Sequence, residues 1–187
     1  MDNKEDNENL NEVSGTKGSI LLFGLTSRVW PNPTENQVLF CDYDYSPLKS
    51  VLKKAEYLLS QIPLNSLYVG STGRRRGYHL VSFDVLPINL WRRALTLSKC
   101  HDGYQWWAKK DGYAILRFSN KLTHAGPRWI KTIVNSFVKW KSFPFAQSEF
   151  HAREFQKHWD IPESQLFLVN PNKISDGEYV FYYSTAL

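Results

Sequence analysis

Asp42 and Asp44 stand two residues apart at the end of the apolar run 37–45. In a strand, side chains two apart share a face and lie about 7 Å from each other, so both carboxylates point one way. Such a pair at a strand end suits divalent cations that bridge phosphate oxygens, and without a cation the two charges repel. The other reading is that the pair opens a turn into Ser46-Pro47. Further on, the loop Ser71-Thr72-Gly73-Arg74-Arg75-Arg76-Gly77 combines glycines, hydroxyls and three consecutive arginines. Glycine lets backbone N–H groups approach a phosphate, and arginine supplies a forked cationic donor. It lacks the Gly-Lys-Ser/Thr ending of a P-loop, which disfavours a Walker-type nucleotidase. Its competing role is a solvated hairpin tip. His79 follows at the head of the apolar segment 79–81, and Arg117 stands inside the apolar segment 113–118 with Ser119 and Lys121 just beyond. An unpaired cation in a strand is expensive, so Arg117 requires an anion, either Asp42 or Asp44 or a ligand phosphate.

Elements of two kinds must position these groups. Apolar runs bounded by Gly and Pro predict strands over 19–25, 37–45, 67–69, 78–83 and 113–118. Pro47 opens a helix carrying Leu48, Leu52, Ala55, Leu58 and Leu59 at helical spacing and ending near Ile62-Pro63. A second helix starts at Pro87, a third covers 146–158, and a late strand pair at 165–169 and 179–183 turns through Asp176-Gly177. Strands and helices interleave, so the predicted class is α+β, a mixed or antiparallel sheet flanked by helices.

The length of 187 residues suits one domain. Residues 1–18 hold five acids against two lysines and few large apolar groups, and read as a disordered acidic tail ahead of a single domain at 19–187. Removing that tail from a chain of formal charge +5 leaves 21 basic and 13 acidic groups, a net +8. With 7 Trp, 10 Tyr and 11 Phe, a basic surface suits a polyanion whose bases stack, such as single-stranded nucleic acid or nucleotides. The competing explanation is an aromatic core beneath an ordinary cationic surface. No apolar run reaches the ~18 to 20 residues of a membrane span, and the acidic N-terminus is unlike a secretory signal. An intracellular location is expected, with Cys41 and Cys100 as reduced thiols.

In order, the strand ending Phe40-Cys41-Asp42-Tyr43-Asp44, the loop ending Gly77-Tyr78-His79 and the strand Leu116-Arg117-x-Ser119-x-Lys121 resemble the archaeo-eukaryotic primase superfamily, the primase-polymerases. The resemblance covers about residues 37–121. It implies a catalytic core with an RRM-like half, in which Asp42 and Asp44 hold Mg²⁺ or Mn²⁺ and a third carboxylate completes the set. Asp102 and Asp111 are the candidates, and Asp102 is preferred because it lies further ahead of the arginine strand. His79 would contact a nucleoside triphosphate, as would Ser71, Thr72, Arg74, Arg75 and Arg76 of the loop, with Arg117, Ser119 and Lys121 on phosphates. Gly77 stands where the family's S-x-H motif has serine. The implied partners are single-stranded or primed nucleic acid, nucleoside triphosphates, and a helicase or other replication protein. A chain this short would be a minimal member, encoded by a virus, plasmid or other mobile element.

Two other functions compete with this nucleotidyltransferase. One is a non-catalytic single-strand or nucleotide-binding replication protein on a degenerate primase fold. The other is a replication-initiator nickase, which would want two histidines flanking a hydrophobic residue, whereas His79 is followed by Leu80-Val81.

Overall fold

The structure is a computed structural model that describes residues 19–118, 126–136, 145–166 and 177–185. The predicted tail 1–18, Ser119, Lys121 and most of the predicted strand 165–169 lie outside the described residues. The elements run β1 (Ser19–Val29), β2 (Asn36–Tyr43), α1 (Leu48–Gln61), β3 (Ser66–Ser71), β4 (Tyr78–Pro87), α2 (Ile88–Ser98), α3 (Asp102–Asp111), β5 (Ile115–Arg117), β6 (Arg128–Val134), α4 (Glu149–Trp159) and β7 (Gly177–Thr185). The class is α+β, as expected from the interleaved patterns. Every paired neighbour is antiparallel, in the order β5-β1-β2-β4-β3-β6 with β7 also bonded to β1.

β2 and β3 both pair with β4, so they run parallel to one another and need a crossover, which α1 supplies. Pro47 precedes the first turn of α1, whose Val51, Ala55, Leu58 and Leu59 are buried. The helix stops where Ile62, extended ahead of Pro63, leaves the helical region. α2 follows Pro87 and buries Trp91, Ala94, Leu95 and Ser98.

The two sheet faces are filled differently. Tyr43 reaches α2, its hydroxyl donating to the Ser98 carbonyl at 2.8 Å. Phe40, of opposite parity on the same strand, meets Phe155 of α4 at 5.2 Å between ring centroids, and Phe83 meets that ring at 5.6 Å. α4 is held by Ser148 at its N-cap, which accepts the His151 N–H. Its stripe His151, Ala152, Phe155 and Trp159 is buried. Burial of these aromatics, each worth a few kcal/mol, fixes the sheet between two helical layers.

Two elements were not anticipated. α3 buries only Gln105 and Ala108, so it carries almost no inward apolar stripe to read. β6 mixes Arg128, Lys131 and Thr132 among its apolar residues and sits at the sheet edge, where one-sided alternation is weak.

Candidate functional site

β2 and β4 place Asp42 directly opposite His79. The His79 Nε2 to Asp42 Oδ1 distance is 3.5 Å. β2 ends at Tyr43, and the bend that follows turns Asp44 toward the β3–β4 loop, where Arg74 Nη1 donates to its Oδ1 at 3.3 Å. Both carboxylates are partly exposed at one end of the sheet, and each faces a basic side chain.

The loop is a tight hairpin tip. Thr72 N–H donates to the Gly77 carbonyl at 3.1 Å and Gly77 N–H to the Arg74 carbonyl at 3.2 Å. Gly73 and Arg76 take positive φ, 76° and 61°. A Cβ on Gly77 would collide with the Thr72 hydroxyl, so a serine here, as in an S-x-H motif, would have to displace the Thr72 side chain. The hydroxyls of Ser71 and Thr72 accept the N–H groups of Gly73 and Arg74 at 3.3 and 3.4 Å, and Thr72 is buried. They shape the tip, which presents Arg74, Arg75 and Arg76 exposed. Ser46 N–H donates to the Arg76 carbonyl at 2.9 Å, tying the tip to the segment after Asp44.

Arg117 arrives from β5. Gly24 of β1 lies opposite it in register, and a Cβ on Gly24 would meet the Leu116 carbonyl oxygen at 2.6 Å. That close approach seats β5 against β1 and carries Arg117 to the same sheet end. Its Nε is buried with no hydrogen-bond partner among the described residues. Burial first, and then the neighbouring charge of Arg74, pulls its pKa below the ordinary arginine value, with Asp42 opposing. Asn65 Oδ1, Ser66 Oγ and Trp159 Nε1 are also unpaired among the described residues, but they are neutral, and leaving a charged donor open costs more.

His79 stacks on Trp159, with centroids 6.0 Å apart and planes 24° from parallel. Gly70 allows this, since a Cβ there would stand 2.8 Å from the indole ring. The histidine is thereby held from behind while its Nε2 faces Asp42.

The candidate third acids sit at opposite ends of α3, about 14 Å apart along a helix of this length. Asp102 is at the near end: His101, the N-cap, donates its N–H to the Asp42 carbonyl at 2.8 Å. Asp102 shares with Asp44 a cleft of about 250 Å³ lined also by Tyr43, Ser46, Lys99 and His101, whereas Asp111 lines a different cleft. Among the described residues no group of three or more His, Cys, Asp or Glu is placed to hold a metal ion. Asp42, Asp44 and Asp102 are therefore neighbours that are not gathered into one ligand set. Two carboxylates nonetheless suit Mg²⁺ or Mn²⁺, because such a hard cation is commonly held by one or two carboxylates together with substrate phosphates and waters.

Cys41 and Cys100 are free and buried. They contact each other, so burial pushes the Cys41 thiol up while its hydrogen bond pulls Cys100 down. Three features escaped the sequence reading: the Trp159 backing of His79, the exposed Trp106-Trp107 pair of α3, and two fully buried titratable groups, Asp84 and His151. The Ser148-x-x-His151 capping pattern was the legible signal for the last. Comparison with family models, with curated proteins and with solved structures finds no match. No helix among the described residues is long and apolar enough to cross a membrane.

Proposed function

We propose that the chain is a primase-polymerase-like nucleotidyltransferase that adds nucleotides to a primer or initiating nucleotide on a nucleic-acid template. The observation that carries this reading is the juxtaposition at one sheet end of the Asp42/Asp44 pair with Arg74, His79 and Arg117, whose buried Nε has no protein partner among the described residues. A dense anion such as a triphosphate, accompanied by a divalent cation, satisfies both charge signs at once. The β2-α1-β3-β4-α2 order, with β4 between β2 and β3, supports the RRM-like half that the primase resemblance implies.

In this reading Asp42 and Asp44 hold Mg²⁺ or Mn²⁺, with Asp102 the nearest further acid. A cation held there would supply Lewis acidity to the phosphate and to the attacking hydroxyl. Arg117 and Arg74 clamp the phosphates, and His79, held by Trp159, donates to them from a fixed ring. Arg75 and Arg76 add charge at the loop tip, Ser71 and Thr72 set its shape, and Ser119 and Lys121, outside the described residues, extend the arginine strand. Partners are nucleoside triphosphates, single-stranded or primed nucleic acid, and a helicase or other replication protein; the setting is intracellular, on a mobile element. The test is primer extension with Mn²⁺. Activity is lost in Asp42→Ala/Asp44→Ala, and robust synthesis by that variant overturns the proposal.

A second reading rests on a specific observation: both carboxylates already face basic side chains, and no third acid joins them in one ligand set among the described residues. That favours a non-catalytic nucleotide or single-strand binding protein on the same scaffold. It predicts salt-sensitive oligonucleotide binding that needs no divalent ion and survives Asp42→Asn.

A further inference from the structure

Tryptophan seldom stands in water, yet α3 exposes two in succession, Trp106 at 57% and Trp107 at 56%. The helix does not need them for its seat, which Gln105 and Ala108 provide. Their rings meet edge to face at 4.7 Å, and Lys110 Nζ stands 5.0 Å from one centroid and 4.7 Å from the other. Just past the helix, the Arg28 guanidinium lies 3.9 Å over the ring of Tyr113. Between them is a cleft of about 180 Å³ lined by Tyr104, Trp107, Tyr113 and Ile115, with Asp111 offering an acceptor. Each aromatic group thus carries its own cation.

We infer that this outer face of α3, continued by Tyr113, is a stacking platform for single-stranded nucleic acid. Planar bases stack on indole and phenol faces without regard to sequence, while the phosphates between them meet Lys110 and Arg28. The charge of the face favours a polyanion as its occupant, because Lys110 stands beside both indoles and Arg28 over the Tyr113 ring. The placement is also productive. Tyr113 leads in four residues, about 13 Å of extended chain, to Arg117 at the phosphate site. This deepens the proposal above and rests on it for the choice of nucleic acid; what it adds is where the strand lies.

The experiment uses the full chain and a labelled oligothymidylate at low salt, followed by fluorescence anisotropy, with Mn²⁺–nucleotide binding measured separately by calorimetry. Trp106→Ala/Trp107→Ala lowers oligonucleotide affinity tenfold or more and leaves nucleotide binding unchanged. Trp106→Phe/Trp107→Phe restores most of it, which a lost structural contact would not explain. Lys110→Ala weakens binding less and makes the salt dependence shallower by about one phosphate contact. If the wild-type chain binds the oligonucleotide and the double alanine variant, with an unchanged circular dichroism spectrum, binds it equally, the platform is overturned while the nucleotidyltransferase reading stands. If the wild-type chain binds nucleotide but no oligonucleotide, and the double variant abolishes self-association instead, the face is a contact between copies and the inference fails. If the wild type binds neither, both fall together.

Discussion

Polar side chains meet the sheet in two regions, one buried beneath α4 and one open at the Asp42 end, and they are finished differently. In the buried region, Asp84 is wholly enclosed and accepts the Asn65 backbone N–H at 2.8 Å, the Asn65 side-chain amide, and the Ser82 hydroxyl at 2.7 Å. Near it His151 donates Nε2–H to the Thr26 carbonyl at 2.8 Å and accepts the Ser148 hydroxyl at Nδ1, 2.6 Å away. Every partner named there is part of the protein. At the sheet end Asp42, Asp44, Arg74 and Arg117 are at least partly exposed, and partial burial together with the nearby charge of Arg74 depresses Arg117, whose Nε has no protein partner among the described residues. Burial with internal partners makes a scaffold. Clustered charge with an open donor prepares a place for something from outside.

The largest effect that tests this contrast is a pair of opposed pH dependences in the scaffold. Burial raises Asp84 from 3.8 to about 6, so between those values the folded chain holds a proton that the unfolded chain lacks, and stability falls as pH rises. Burial lowers His151 from 6.5 to about 4, so over nearly the same window the unfolded chain holds the extra proton, and stability rises with pH. Each amounts to about 3 kcal/mol, and in the wild type they nearly cancel. Denaturant midpoints between pH 4 and 6 therefore climb with pH in Asp84→Asn and decline in His151→Gln. Slopes unchanged from wild type in both variants would mean that these groups are not the sealed pair described.

Next in size, Arg117→Met weakens Mn²⁺–nucleotide binding about 10- to 100-fold, the worth of a hydrogen bond to a charged group. It leaves the melting temperature unchanged or raised, since an open donor and a cation repulsion disappear. A drop in melting temperature with undiminished binding would place Arg117 with the scaffold. Gly70→Ala crosses between the regions: its methyl meets the Trp159 ring, costing about 1 to 2 kcal/mol by overpacking, and it loosens the ring behind His79, so stability and nucleotide affinity fall together. The smallest effect belongs to Arg75→Ala on the exposed tip. Stability stays within about 0.5 kcal/mol, and affinity falls a few-fold at low salt and less at high salt.

Much of the scaffold could be read ahead of the coordinates because it follows period and punctuation. β2, α1, the β3–β4 hairpin and the start of α2 all fell where apolar spacing and Pro or Gly put them. α3 could not be read that way: its large apolar residues point outward, reversing the pattern that usually marks a helix. β6 hid behind the mixed polarity of an edge strand. At the site, the approach of Asp42 to His79 follows from strand register, which the local sequence does not encode. Ser71 and Thr72 are expected on a triphosphate, and the fold uses the lone pairs of their hydroxyls to hold the loop; composition cannot separate those uses. Asp84 drew no notice, since a lone acid in an apolar run shows its burial only once the layers are stacked, and His151 was marked only by the Ser148 cap three residues before it.

β1 bonds with strands far along the chain: Leu25 lies opposite Leu116, and Leu21 opposite Tyr183. Its ladder with the nearby β2 is confined to Arg28 opposite Gln37. Such remote pairings carry a large loop-closure entropy and form slowly. The β2–α2 segment can collapse early around local contacts, with Asp42, Asp44, Arg74 and His79 already in place. Arg117 joins only when β5 pairs with β1, so the site is complete only once a strand more than seventy residues beyond Asp42 has been made and docked.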